Sequence, residues 1–117
     1  MEGRIDLFDN TYRHFTDQVL NAVRKETFGE DIGQNSWLTV DEYDHFLSWL
    51  DLSPAHHALE VASGSGGPAL YLANKTGCRV TGIDSNENGV ATAREMAARN
   101  AEAARLHFQV ADATQPL

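Results

Sequence analysis

Residues 58–67 read Ala-Leu-Glu-Val-Ala-Ser-Gly-Ser-Gly-Gly, with Pro68 directly after. A short apolar run carrying one acid, Glu60, breaks into a glycine-rich turn, and Pro68 suits the first turn of a helix. Glycine lets the backbone approach a ligand closely, and a helix that begins there turns unpaired N–H groups toward an anion. Strand, glycine turn and helix in that order build a nucleotide-binding crevice at the carboxyl end of a strand.

Strand and helix alternate on from Pro54. Ala58–Ala62 reads as the first strand, and the helix opened at Pro68 has Gly77 as its C-terminal cap. Arg79–Asp84 reads as the second strand, with Val80 and Ile83 as its apolar members. An alanine-rich helix is predicted over 86–104, burying Val90, Ala93, Met96 and Ala97, and Leu106, Phe108 and Val110 alternate along a third strand. Two short crossovers imply parallel strands with right-handed connections. The predicted fold is α/β: a Rossmann-like doubly wound parallel sheet of order 3-2-1, preceded by two N-terminal helices. The first strand of such a sheet sits in its middle, yet no fourth strand follows here to pair with it. The expectation is therefore the front half of a larger domain. Its open edge would need a second copy of the chain, as a homo-oligomer, or association with a C-terminal half.

Upstream, Phe8, Tyr12, Phe15, Val19 and Val23 recur at helical spacing and predict a helix over 7–26, stopped by Gly29. Residues 30–38 lack periodicity and read as loop. Thr39-Val40-Asp41-Glu42 is a capping box. The helix it opens presents Val40, Tyr43, Phe46, Leu47 and Leu50 and ends before Ser53-Pro54.

The chain has 117 residues, enough for one domain or part of one, and a formal net charge of −8 with nine Lys and Arg. Scattered cations in an acidic chain disfavour nucleic acid or an anionic membrane as the main partner. The single cysteine, Cys78, excludes an internal disulfide and fits a reducing compartment. No stretch has signal-peptide character or bilayer-spanning length, so the expected location is cytoplasmic.

Three acids fall at three strand ends: Glu60, Asp84 and Asp112. Gly64, Ser65, Gly66, Gly67, Pro68 and Ala69 make a G-x-G-x-x-A turn, and Asp84 follows about twenty residues on, where an acid accepts hydrogen bonds from ribose hydroxyls. Asp112 would lie within reach of an adenine beside Asp84. The expectation is that the three acids converge on one crevice. A dinucleotide site of an NAD(P)-dependent oxidoreductase satisfies the same turn and acid. Glu60 argues against it, because a carboxylate under the turn repels a pyrophosphate and welcomes an ammonium. S-adenosylmethionine carries an ammonium and a sulfonium and no phosphate, and its carboxylate can sit at the helix start near Gly67.

Glu60-Val61-Ala62-Ser63-Gly64-Ser65-Gly66 resembles the first motif of the class I S-adenosylmethionine-dependent methyltransferases. Val80-Thr81-Gly82-Ile83-Asp84 resembles the second, and Val110-Ala111-Asp112-Ala113 the third. The resemblance covers Ala58 to the terminus and departs from the pattern at Ala62, which stands where the first glycine usually does. It implies a cofactor set of Glu60, Ala62, Ser63, Gly64, Gly66, Asp84, Ser85, Asp112 and Ala113. In that set Glu60 holds the methionine ammonium, commonly through water, Asp84 the ribose, and Asp112 with the Ala113 N–H the adenine. A weaker similarity in Phe28-Gly29-Glu30 and Ser36-Trp37-Leu38-Thr39 points to small-amine N-methyltransferases of the phosphoethanolamine and sarcosine–dimethylglycine type. It implies that residues 1–53 form a helical lid over residues 54–117, with Tyr12, Ser36 and Trp37 as lid or substrate contacts. Tyr12 equally fits the packed stripe with Phe8 and Phe15. The implied reaction is methyl transfer to a small molecule, an amine. The competing class is a non-catalytic cofactor-binding or interaction fragment.

Other groups carry less. The five histidines show no metal-ligand spacing, Asp41 and His45 read as a surface pair, and Cys78 reads as a buried small residue. The Gly-Ser-Gly turn lacks the G-x-S-x-G frame of a nucleophile elbow. No catalytic base can be named from the sequence.

Overall fold

The computed structural model describes residues 18–28, 32, 38–101 and 103–116. In chain order these form α1 (Gln18–Phe28), α2 (Val40–Leu50), β1 (His57–Val61), α3 (Gly67–Thr76), β2 (Arg79–Asp84), α4 (Glu87–Ala98), a 3₁₀ turn (Ala103–Arg105) and β3 (Leu106–Val110). The three strands make one parallel sheet in the order β1-β2-β3, the predicted arrangement read from the other side.

Local chemistry sets the element ends. At α2 the capping box is complete: the Glu42 N–H donates to Thr39 Oγ1 at 3.2 Å, and the Thr39 N–H donates to Glu42 Oε2 at 3.1 Å. Gly77 caps α3, its N–H donating to the Ala73 carbonyl at 2.8 Å. The alanine-rich helix is shorter than predicted and stops at Ala98. There the N–H groups of Arg99 and Asn100 fold back on the carbonyls of Met96 and Ala97, and Asn100 Nδ2 donates to the Met96 carbonyl at 2.7 Å. An asparagine amide that competes for helix carbonyls ends the helix.

Strand register decides which side chains meet. Ala58 and Glu60 of β1 lie beside Val80 and Gly82 of β2, which lie beside Leu106 and Phe108 of β3. This face takes α3 and α4 through Ala69, Leu72, Ala73, Val90, Ala93 and Ala97, and it holds the buried core with Cys78. On the other face Leu59 and Val61 are 53% and 56% exposed. Among the described residues β1 is paired along one side only.

The outer helices are less covered than their apolar spacing suggests. In α2, Val40 is buried and Leu47 packs on the core, but Phe46 and Leu50 are exposed, as are Val19 and Val23 of α1. Phe46, Trp49 and His45 stack edge-on to one another at the surface instead, with Phe46 and Trp49 centroids 5.3 Å apart. His45 thus belongs to this aromatic group and makes no described bond to Asp41.

Two backbone positions are tightly constrained. A Cβ on Gly82 would stand 2.7 Å from Phe108 Cδ1 and 2.7 Å from Ser63 Oγ. Gly82→Ala is expected to cost about 1–3 kcal/mol by overpacking, read as a lower midpoint in urea unfolding. Ala62 has φ 61°, a left-handed conformation that disfavours a Cβ. Ala62→Gly relieves that strain and is expected to stabilise the chain by up to about 1 kcal/mol in the same measurement, the freer unfolded chain offsetting part of the gain.

Candidate functional site: the glycine turn and its acids

The turn is folded by hydrogen bonds that the sequence provides at short range. As β1 ends, the Ser63 N–H donates to the Ile83 carbonyl at 3.0 Å, extending the sheet by one bond. Gly64 has φ 56°, and the Gly66 N–H donates to the Ser63 carbonyl at 3.1 Å. Gly66 has φ 85°, and a Cβ there would meet Ala93 Cβ and Phe108 Cζ at 2.8 Å each. Only glycine meets both demands, the left-handed turn and the close approach of α4 and β3. No side chain caps the first turn of α3, so its N–H end is left for an anion.

Asp84 ties the crevice together. It is 8% exposed, and its Oδ2 accepts from the Gly64 N–H at 2.9 Å while Oδ1 accepts from the Asn86 N–H at 2.8 Å. Asn86 in turn caps α4, its Oδ1 accepting from the Gly89 N–H at 2.9 Å. Each carboxylate oxygen keeps a second lone pair for a ligand hydroxyl. Asp112 stands opposite and exposed, its Oδ1 accepting from the Thr114 hydroxyl at 2.6 Å and the Thr114 N–H at 2.9 Å. Those two bonds, the hydroxyl's first, hold its carboxyl below the usual value.

A cleft of about 210 Å³ lies between these acids, lined by Val61, Ala62, Ile83, Asp84, Ser85, Ala111, Asp112, Ala113 and Thr114. Five residues expected at the site, Ala62, Asp84, Ser85, Asp112 and Ala113, therefore share one wall. Thr114 was missed, although Asp-x-Thr is a recognisable local hydrogen-bonding pattern. Ligand pockets run to roughly 300–1,000 Å³, so this cleft is smaller than a pocket for a whole drug-sized ligand.

Glu60 departs from the expected convergence. It does not line this cleft, because the pleat turns it to the helix-covered face beside Gly82, where it is half-buried. It has no described hydrogen-bond partner, and burial pushes its carboxyl from the ordinary 4.5 up to about 7. In the turn that follows, two buried hydroxyls lack partners, those of Ser63 and Ser65, both in residues only 3% exposed. Two buried, unbonded hydroxyls within three residues are an unusual concentration, since buried polar atoms are nearly always bonded.

Sequence reasoning also missed a contribution from α2. The Tyr43 hydroxyl donates to the Pro68 carbonyl at 3.3 Å, in the first turn of α3. Burial first, and then the charge of Glu60, push the Tyr43 phenol well above its ordinary value. Tyr71 packs edge-on to Tyr43 at 5.8 Å, and its hydroxyl donates to Asp44 Oδ1 at 2.6 Å. Tyr12, Ser36 and Trp37, the expected lid contacts, lie outside the described residues.

Comparison with known proteins identifies the family. The family described as methyltransferase domain matches residues 58–117. Methyltransferase GfsG of Streptomyces halstedii is 39% identical over 119 residues, covering 92% of this chain and 42% of that protein. Phosphoethanolamine N-methyltransferase of Triticum aestivum is 32% identical over 111 residues, covering 91% of this chain and 21% of that protein. A solved S-adenosylmethionine-dependent methyltransferase from Geobacter sulfurreducens, in complex with S-adenosyl-L-homocysteine, superposes with a TM-score of 0.58 at 31% identity, over 64% of this chain and 30% of that one. The chain spans less than half the length of these relatives. The glycine turn, the strand-end acids and the match across the whole of that region together place this chain in the methyltransferase domain family.

Proposed function

We propose that the chain binds S-adenosylmethionine and supplies the cofactor-binding front portion of an enzyme that methylates a small molecule, an amine. The observation that carries this reading is the partnerless Glu60 beside an uncapped helix start. The pair suits a ligand that offers an ammonium and a carboxylate together and carries no phosphate. The Geobacter relative, solved with S-adenosyl-L-homocysteine, supports the cofactor, and similarity to the wheat phosphoethanolamine enzyme supports an amine acceptor. A nicotinamide dinucleotide is disfavoured because the family match and the relatives are methyltransferases.

In this reading Asp84 accepts from the ribose hydroxyls with its remaining lone pairs, and Asp112 and the Ala113 N–H read the adenine across the cleft. Ala62 and Ser85 wall the cleft, and the turn from Ser63 to Gly66 lies under the amino-acid end. The bound cofactor supplies a methyl group on a positively charged sulfur. The chain's own part is to hold that group in line with an incoming nucleophile and to exclude water, effects that together supply roughly 7–11 kcal/mol of a barrier. Residues 54–117 carry the cofactor-binding unit in this reading.

Calorimetric titration tests the assignment: saturable binding of S-adenosylmethionine without binding of NAD is expected, and the reverse would refute it. Asp84→Ala should weaken that binding by about 1–3 kcal/mol and also lower thermal stability, because two backbone N–H groups lose their acceptor.

Glu60 makes both binding and folding depend on pH. An ammonium ligand binds the ionised carboxylate, so affinity should rise with pH up to about 7 and level off above it. Stability should run the other way. With the folded value raised above the unfolded one, the native state holds the extra proton between 4.5 and about 7, so stability falls across that window as pH rises. Glu60→Gln should flatten both profiles and raise stability at pH 8 by about 1–3 kcal/mol, checked by urea unfolding at pH 5 and pH 8.

A further inference from the structure

We propose that the Tyr43 phenol oxygen is a second acceptor, beside Glu60, for the cationic amino group of the bound ligand, which makes α2 a wall of the cofactor site. This rests on the S-adenosylmethionine reading above and extends it to a residue outside the three strand-end motifs.

The chemistry of the hydroxyl carries the inference. Its one proton is committed to the Pro68 carbonyl at 3.3 Å. In that arrangement the oxygen presents lone pairs, so toward a ligand Tyr43 acts as an acceptor. The site therefore selects a donor, and Glu60, whose charge is felt at this phenol, asks for a cationic one. No described residue provides that donor: Glu60 has no hydrogen-bond partner, and the hydroxyls of Ser63 and Ser65 are buried without one. A ligand ammonium carries three N–H groups, enough to serve the carboxylate and the phenol together.

The ring is held where this requires. It packs at 64° against Tyr71, whose own hydroxyl is tied to Asp44, the residue next to Tyr43 on α2. Consecutive residues of α2 thus grip two points of α3, at Pro68 and at Tyr71. That grip fixes the phenol over the start of the helix and spends little conformational entropy when a ligand arrives.

The test compares two ligands on the same chain by calorimetry. S-adenosylhomocysteine has the amino-acid end, and methylthioadenosine lacks it. Tyr43→Phe keeps the ring and removes only the oxygen. It is expected to weaken S-adenosylhomocysteine about three- to tenfold and to leave methylthioadenosine unchanged. Glu60→Gln should show the same selectivity, and the double variant should lose less than the two single losses combined, because both groups serve one ammonium. Equal weakening of the two ligands by Tyr43→Phe, as misfolding would produce, overturns the proposal. So does unchanged affinity for S-adenosylhomocysteine, or strict additivity of the two substitutions. If neither ligand binds the unaltered chain, the cofactor reading fails first, an outcome distinguishable from failure at Tyr43 alone.

Discussion

The buried carboxylate of Asp84 is where this structure is tied. Its two oxygens accept from Gly64 and from Asn86, so one side chain at the end of β2 sets both the glycine turn after β1 and the start of α4. Hydrogen bonds to a carboxylate are stronger than those between neutral groups, and these are sheltered from water. The turn could not keep its shape on glycines alone, since their freedom favours many conformations. The same side chain also lines the cleft, so one residue both holds the fold and forms part of the cavity wall.

Packing around Gly82 extends that logic to the next layer. Its missing side chain makes room for Ser63 and Phe108, and Gly66 lets Phe108 and Ala93 close against the turn. Glycines here make the fold tight as well as flexible. Ala62 is the exception, a residue with a Cβ placed where the backbone turns left-handed, beside the opening of the cleft.

Much of this was legible in the residues. Thr39 and Glu42 announce the start of α2 because a capping box is local, and the bounds of β2 and β3 follow from short apolar alternation between turn residues. Asp84, Asp112 and Ala113 could be placed because strand ends in a parallel sheet share one rim. The path of Glu60 was harder to read: the pleat that sends it to the helix side is a matter of register. The link from Tyr43 to Pro68 spans twenty-five positions and two elements, and no periodicity encodes it. Phe46 and Leu50 follow a helical stripe faithfully, yet they are exposed, because spacing predicts a face and not what covers it.

The sheet has a kinetic corollary. Both strand pairings are parallel, and each joins residues more than twenty positions apart, as in His57 with Arg79 and Val80 with Leu106. Among the described residues no hairpin seeds the sheet cheaply, and loop closure must precede each interstrand bond. Helices such as α2, with start signals written locally, can form in about a microsecond, well ahead of any strand pair. Contact topology thus makes assembly of the cleft an expected late step of folding, since its acids come from strand ends that only long loop closures bring together.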